Sequence, residues 1–239
     1  MAPAFGQVVG LSVVATAAVD TDALGTFSGE TPRRGTMLET AVAKARLGIE
    51  ATGLRLAIAG EGSFGPHPQI PFLPSGIELL VFVDAEKGLL IHKIAVVGKT
   101  NLAHLVAAPS TPIDTFLVQV GFPDHALIVR PNAGDPLAAL AKGIVDRGEL
   151  DRTVAAAAAA SEDRCARIET DMRAHLNPTR METLARLAMQ LALRVAAHCP
   201  VCDAPGWGRV DVTRGLPCEL CRMPTQVIAG KIFGCAACG

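Results

Sequence analysis

Three Cys-x-x-Cys pairs close the chain: Cys199-Pro200-Val201-Cys202, Cys218-Glu219-Leu220-Cys221 and Cys235-Ala236-Ala237-Cys238. Nothing else in the sequence restricts the fold so tightly. Fifteen residues separate the first pair from the second and thirteen the second from the third. Two pairs so spaced are the ligand pattern of a zinc ribbon: each pair sits on a tight turn, the chain between them forms a hairpin, and four thiolates close a tetrahedron around Zn²⁺. Six thiolates are two more than one such site takes and two fewer than two separate all-Cys sites take. Three arrangements therefore stay open. One zinc leaves a pair over, two zincs share bridging thiolates, or His198 or a side chain of the main body completes a second site.

Between the second and third pairs, residues 225–233 read as a β-hairpin with Gly230 near its turn, and residues 207–212 read as a further strand. A disulfide framework is the competing reading. The odd seventh cysteine, Cys165, argues against it, as does the preference of Cys-x-x-Cys pairs for metal in a reducing compartment. The expected organisation is an α/β domain over residues 1–197 followed by a small ribbon domain over 198–239. A structural Zn²⁺ is the expected cofactor.

At 239 residues and 50% hydrophobic content, the chain can bury a sizeable core. The 22 basic and 23 acidic residues nearly cancel, so no global field recruits nucleic acid or a membrane surface. The ribbon is no more basic, and Trp207 and Phe233 are its only stacking aromatics. Residues 8–19 have the apolar character of a signal-peptide core, but no Lys or Arg precedes them, so they read as a buried β-strand. No stretch approaches transmembrane length. A cytoplasmic location is expected.

Strand and helix signals alternate along the body. A polar, glycine-punctuated loop over 20–35 has the length of a functional loop. Thr36 and Glu39 form a capping box, Leu38, Val42, Ala45 and Ile49 make one apolar stripe, and Gly53 ends that helix. Residues 54–59 read as a strand, and 77–84 and 88–97 as a hairpin. A helix starts at Thr111-Pro112 and stops at Gly121. A short strand over 126–130 and an alanine-rich helix over 150–160 follow. In the last helix, Thr179 and Glu182 form a capping box, Leu184, Leu187, Ala188, Leu191 and Val195 face inward, and Arg186, Gln190 and Arg194 face solvent. The alternation predicts a layered α/β fold: a mixed sheet, at least partly parallel, with flanking helices.

Two stretches carry candidate chemistry. Gly60-Glu61-Gly62-Ser63-Phe64-Gly65-Pro66-His67-Pro68 reads as a turn just beyond a strand, where Glu61, Ser63 and His67 offer an acid, a hydroxyl and an imidazole. Residues 166–181 are the densest polar stretch. On a strand, Glu169 and Asp171 would share one side about 7 Å apart and hold a hard cation such as Mg²⁺. Arg173 and Arg180 would bind an anion, and His175 would move a proton. The plainer reading makes these residues internal ion pairs or helix caps.

The 20–30 and 61–68 stretches, residues 169–181 and the three Cys pairs together resemble a bacterial family of hypothetical proteins known as a domain of unknown function. The resemblance spans nearly the whole chain and implies no assigned activity. It also implies one more strand upstream of Met1. Residues 36–45 with Lys44, then Thr52-Gly53-Leu54 and Glu61-Gly62-Ser63, are similar to part of the pyrophosphatases that clear non-standard purine nucleoside triphosphates. That similarity implies Lys44 on phosphate and Glu61 on metal, although those enzymes carry consecutive aspartates where this chain has Gly60-Glu61.

Together these features predict an enzyme that hydrolyses or transfers a phosphorylated, nucleotide-like small molecule. Glu61, Glu169 and Asp171 would hold Mg²⁺ or Mn²⁺, Arg173 and Lys44 would neutralise phosphate, His175 would act as acid or base, and Ser63, His67 and Arg180 would contact substrate. The alternative is a non-enzymatic ribbon protein that binds a macromolecular partner through Trp207 or Phe233. A third reading places the spare Cys pair in a catalytic zinc site with an open position.

Overall fold

The computed structural model describes residues 1–16, 19, 24–25, 35–67, 70–134 and 139–239. Nearly all of the expected 20–35 loop, and Pro68 of the glycine-rich stretch, lie outside the described residues. The body has the expected α/β layers with flanking helices, arranged around two separate sheets, and the Cys-bearing hairpin follows. Every described strand pairing is antiparallel, so the expected parallel pairing does not occur. The turn at 85–88 joins β2 to β3, and so short a connection requires antiparallel neighbours.

That first sheet is the meander β1 (Leu56–Pro66), β2 (Pro74–Asp84) and β3 (Leu89–Val97). Side chains alternate across it with period two. Leu79, Val81 and Val83 face helix α2 (Met37–Thr52), meeting Ala41 and Ala45. Leu80 and Phe82 face the opposite way, onto α1 (Ala2–Val9) and α5 (Pro178–Ala196), where Phe5, Leu187, Ala188 and Leu191 complete a second core. Burying each of the larger side chains contributes about 1.5–3 kcal/mol. The Thr36–Glu39 capping box and the left-handed Gly53 stop of α2 occur as expected.

The described residues of 8–19 do not form the expected strand. Pro3 at the first turn and left-handed Gly10 at the end delimit α1, and Phe5 stacks on Phe82 with ring centroids 6.0 Å apart. The glycine-rich stretch is not a turn either, because Gly60 through Pro66 continue β1. Gly60 of this stretch makes room for a large neighbour across the ladder, and Gly76 on β2 does the same for Phe64. A Cβ on Gly60 would lie 2.7 Å from Leu80, and one on Gly76 would lie 2.5 Å from the ring of Phe64, its cross-strand partner.

The second sheet is ordered β4 (His104–Ala107), β7 (Ala166–Thr170), β5 (Leu127–Pro131), β6 (Ala141–Ile144). One face packs on α3 (Asp114–Val120) and α4 (Arg147–Ala160) through Phe116, Leu117, Leu150 and Ala157. Thr111-Pro112 precedes α3 rather than starting it. The cap of α5 also differs from expectation: Asn177, not Thr179, is the N-cap, its Oδ1 accepting from the Arg180 N–H at 3.0 Å, with Pro178 at the first helical position.

A buried polar joint ties the two sheets together. Glu78 points from β2 toward α5, where Arg180 donates to its carboxylate through Nε at 2.5 Å and Nη2 at 3.1 Å. The third arm of the guanidinium donates to the Met172 carbonyl just after β7, and its face lies 5.1 Å over the Phe64 ring. Burial pushes the Glu78 carboxyl above its ordinary value, and the Arg180 hydrogen bond opposes that push. Removing one partner of a buried pair strands the other charge. Arg180→Met is therefore expected to lower the unfolding free energy by about 3–5 kcal/mol in urea denaturation. The Glu78→Leu/Arg180→Met double variant should lose clearly less than the summed single losses, and simple additivity would show that the two do not act as a unit.

Candidate functional site

The ribbon is built from three knuckles, one at each Cys pair, and a hairpin. Strand β8 (Gly208–Arg214) pairs with β9 (Ile228–Gly234). The hairpin thus spans the first to the third Cys pair. Residues 225–233 are not a hairpin of their own, and Gly230 sits within β9 opposite Thr213. This topology folds the first knuckle beside the third and gathers Cys199, Cys202, Cys235 and Cys238, whose sulfurs all lie within 4.8 Å of one another.

The donor set fits zinc. Zn–S bonds of about 2.3 Å in a tetrahedron put sulfurs about 3.8 Å apart. Cys199 and Cys238 approach to 3.8 Å, and Cys202 and Cys235 to 3.6 Å. Backbone N–H groups of Val201 and Ala237 point at the Cys199 and Cys235 sulfurs at 3.4 and 3.2 Å, orienting them as thiolates. The N–H groups of Ala237 and Cys238 lower the Cys235 thiol to about 6. Neighbouring Cys202, Cys235 and Cys199 push the Cys238 thiol up to about 12. Four clustered sulfurs cannot all ionise without a cation, so metal binding here displaces protons. His198 is not a fifth donor to this group; its Nδ1 meets Asp203 at 3.1 Å.

Cys218 and Cys221 stand apart on the loop between β8 and β9. Seven residues of β8 lie between, so the second pair sits on the order of 20 Å from the first along the strands. Among the described residues, the Cys199 cluster is the one group of three or more His, Cys, Asp or Glu ligands close enough to hold a metal.

The ribbon docks on the body at the far end of α5. Arg194, expected to face solvent, is buried there and donates to the carbonyls of Gly206 at 3.2 Å and His92 at 2.9 Å. Gly206 is in the left-handed region, and a Cβ on it would lie 2.7 Å from Ile91, so only glycine lets the ribbon approach β3 this closely. Arg194 lies fourteen positions after Arg180 on the helix, about 21 Å along the axis. The ribbon is a brace on β3 and α5, not a lid over the 166–181 stretch.

Glu61, Glu169 and Asp171 occupy different surroundings. Glu61 is buried on the α2 face of the first sheet and pairs with Lys44 of α2. Asp171 is fully buried beyond the end of β7, where Arg173 clasps both its carboxylate oxygens. Glu169 lies on β7 between Arg167 and Arg130. The strand ends at Thr170, so the two-residue alternation that would align Glu169 with Asp171 stops before Asp171. His175 is exposed on a 3₁₀ turn, Ser63 is exposed on β1, and the His67 N–H closes the β1–β2 connection on the Leu73 carbonyl at 2.7 Å. Arg180 belongs to the buried joint described above.

A cleft of about 480 Å³ lies where the β1–β2 connection overhangs the second sheet. Its apolar wall includes Phe72, 84% exposed, and Leu73; its floor includes His104, Arg167 and Glu169. The sheet register places His104, Glu169, Ile128 and Lys142 in one row across β4, β7, β5 and β6, with Val106, Arg167 and Arg130 in the next. This is the face that α3 and α4 leave uncovered. Among these strand positions, two Arg, one Lys and one His stand against a single carboxylate. Arg167 and Arg130 sit directly opposite each other, an arrangement that repels unless an anion lies between them, and Glu169 fills that role. The signal was present in the sequence as Arg167 and Glu169 flanking Ile168, but it became readable only once the strands were paired.

The molecule is thus an α/β protein with a C-terminal four-cysteine site that fits zinc. The chain belongs to the family described as a domain of unknown function (DUF6671), matched over residues 44–239. Comparison with curated proteins and with solved structures gave no match. Among the described residues, no helix is long and apolar enough to cross a membrane.

A two-stranded hairpin is marginal by itself, whereas structural zinc supplies on the order of 10–16 kcal/mol at neutral pH. Cys235→Ser is expected to lower the zinc content by about one ion per chain and to abolish hydrogen-exchange protection in β8 and β9 while β1, β2 and β3 keep theirs. Retention of both zinc and protection would show that the four sulfurs do not hold the ribbon.

Proposed function

We propose that the protein binds a phosphorylated, nucleotide-like small molecule in the cleft between the sheets and hydrolyses it or transfers its phosphoryl group. The observation behind this reading is the uncovered, cation-rich face of the second sheet beneath an exposed aromatic side chain. Guanidinium groups bind phosphate through paired N–H donors, and an aromatic face accepts a base or other flat ring. Arg167, which lines the cleft, would meet the anionic end of the ligand and Phe72 its ring, with Arg130 and Lys142 adding positive charge on the same sheet face. Ligand phosphate competes with Glu169 for the guanidinium groups. Once released, Glu169 is free to share Mg²⁺ or Mn²⁺ with a phosphate oxygen, and His104 beside it is the imidazole placed to move a proton. Glu61, Lys44, Asp171, Arg173 and Arg180 support the fold around this site through their ion pairs. The free thiols suit the reducing conditions of a cytoplasmic setting.

The test is calorimetry and turnover with a panel of nucleoside mono-, di- and triphosphates and sugar phosphates, with and without Mg²⁺ or Mn²⁺. Arg167→Ala is expected to weaken binding of the best ligand by about tenfold or more, in line with a lost charged hydrogen bond. Phe72→Ala should weaken nucleotides more than sugar phosphates. Glu169→Gln should preserve binding while removing metal-dependent turnover. Absence of binding across the panel, or affinities unchanged in Arg167→Ala, would refute the reading.

A further inference from the structure

The second Cys pair is a folded duplicate of the first. In the first knuckle, His198 bridges Pro205, the Cys199 N–H donates to the Ala204 carbonyl at 2.8 Å, the Asp203 N–H donates to the Cys199 carbonyl at 3.0 Å, and Asp203 is left-handed at φ 57°. In the second, Pro217 bridges Pro224, the Cys218 N–H donates to the Met223 carbonyl at 2.9 Å, the Arg222 N–H donates to the Cys218 carbonyl at 2.9 Å, and Arg222 is left-handed at φ 57°. A non-glycine residue in that region is uncommon and costs free energy. The chain accepts that cost at the same place in both knuckles, and in the first the product is a pair of thiolates preset for metal. The sequence shows the same repeat, Cys-x-x-Cys-x-x-Pro, at 199–205 and 218–224.

Its surroundings are unlike those of the first. No third ligand from the described residues comes within reach of Cys218 and Cys221. The knuckle stands at the distal end of the hairpin, away from the end that docks on β3 and α5. Large apolar side chains ring it: Leu220 is 96% exposed, Met223 64% and Val227 55%. Two thiolates satisfy half of a tetrahedral zinc. A two-fold axis through the metal would bring the same two thiolates from a second chain and pair the same apolar rim with itself, as an isologous contact requires.

We propose that Cys218 and Cys221 form half of a second zinc site, completed by the same two residues of a second copy of this chain. The tip of the ribbon is thus a zinc-dependent dimer contact. This contact is independent of the cleft and of any activity there.

The measurement is zinc content together with solution mass for the full chain, purified under reducing conditions with zinc supplied. The expected wild type is a dimer with about 1.5 zinc per chain, one ion in each Cys199 site and one shared. Cys218→Ser/Cys221→Ser should be a monomer that keeps about one zinc per chain, because the Cys199 site lies at the other end of the hairpin. Leu220→Asp, which leaves every thiol in place, should weaken the dimer. A monomeric wild type would overturn the proposal, as would a dimer that survives the double Cys variant. Two zincs in a single chain would overturn it too, since the site would then be complete within one copy. So would a Cys218–Cys221 disulfide in protein trapped by alkylation directly from cells.

Discussion

The architecture hinges on one guanidinium. Arg180 leaves the first turn of α5, takes Glu78 from the first sheet and the Met172 carbonyl from the end of the second, and rests on Phe64. Two antiparallel sheets with separate apolar cores have no shared hydrophobic layer to fix their relative placement. A directional, buried ion pair does what nonspecific burial cannot, since its geometry admits one arrangement. Such pairs contribute less to net stability than their Coulomb energy suggests, because both charges are desolvated. The Asn177 side chain supports the same joint by donating to the Asp171 carbonyl at 3.2 Å and to Asn101 at 2.9 Å. Met172, whose carbonyl Arg180 holds, also lines the cleft between the sheets.

Helix α5 carries that placement to the other end of the molecule. Its inward stripe packs on Leu80, Phe82 and Ile91, and its last turn delivers Arg194 to the ribbon. The ribbon itself has little core. Trp207 and Phe233 stack at 6.4 Å, Ala236 touches the body, and most of β8 and β9 is exposed. Metal coordination supplies what burial does not, as expected for a segment of this size. The proximal half of the hairpin is held by its own four sulfurs and by Arg194, while the distal half carries its apolar side chains into solvent.

Where sequence reasoning succeeded, the determinants were local. The capping box at Thr36, the β2–β3 hairpin, the alanine-rich α4 and the inward stripe of α5 are each specified within a few residues. Where it failed, a distant partner decided. The apolar run at 8–19 looked like a strand, yet its first two residues end helix α1, whose Phe5 packs against Phe82 in the core shared with α5. Gly60 through Pro66 looked like a turn because glycine is common in turns, whereas here small residues accommodate Leu80 and Phe64 across a ladder. Arg194 sat on the polar side of a helical wheel, and a helical wheel contains no information about a ribbon docking from outside. The carboxylates at 61, 169 and 171 were equivalent as acids in the sequence; sheet faces and strand ends gave each a different basic partner.

The sequence by itself determined that this chain has cysteines in metal-ligand spacing and an α/β body with enough apolar residues to bury. Both follow from residue type and short-range periodicity. Only the tertiary structure decided which pairs combine, because adjacency along the chain favours neighbouring pairs while a hairpin returns the third pair to the first and carries the second away. It likewise decided where charge collects, since His104, Arg130, Lys142, Arg167 and Glu169 come from four strands and share a face only through ladder register.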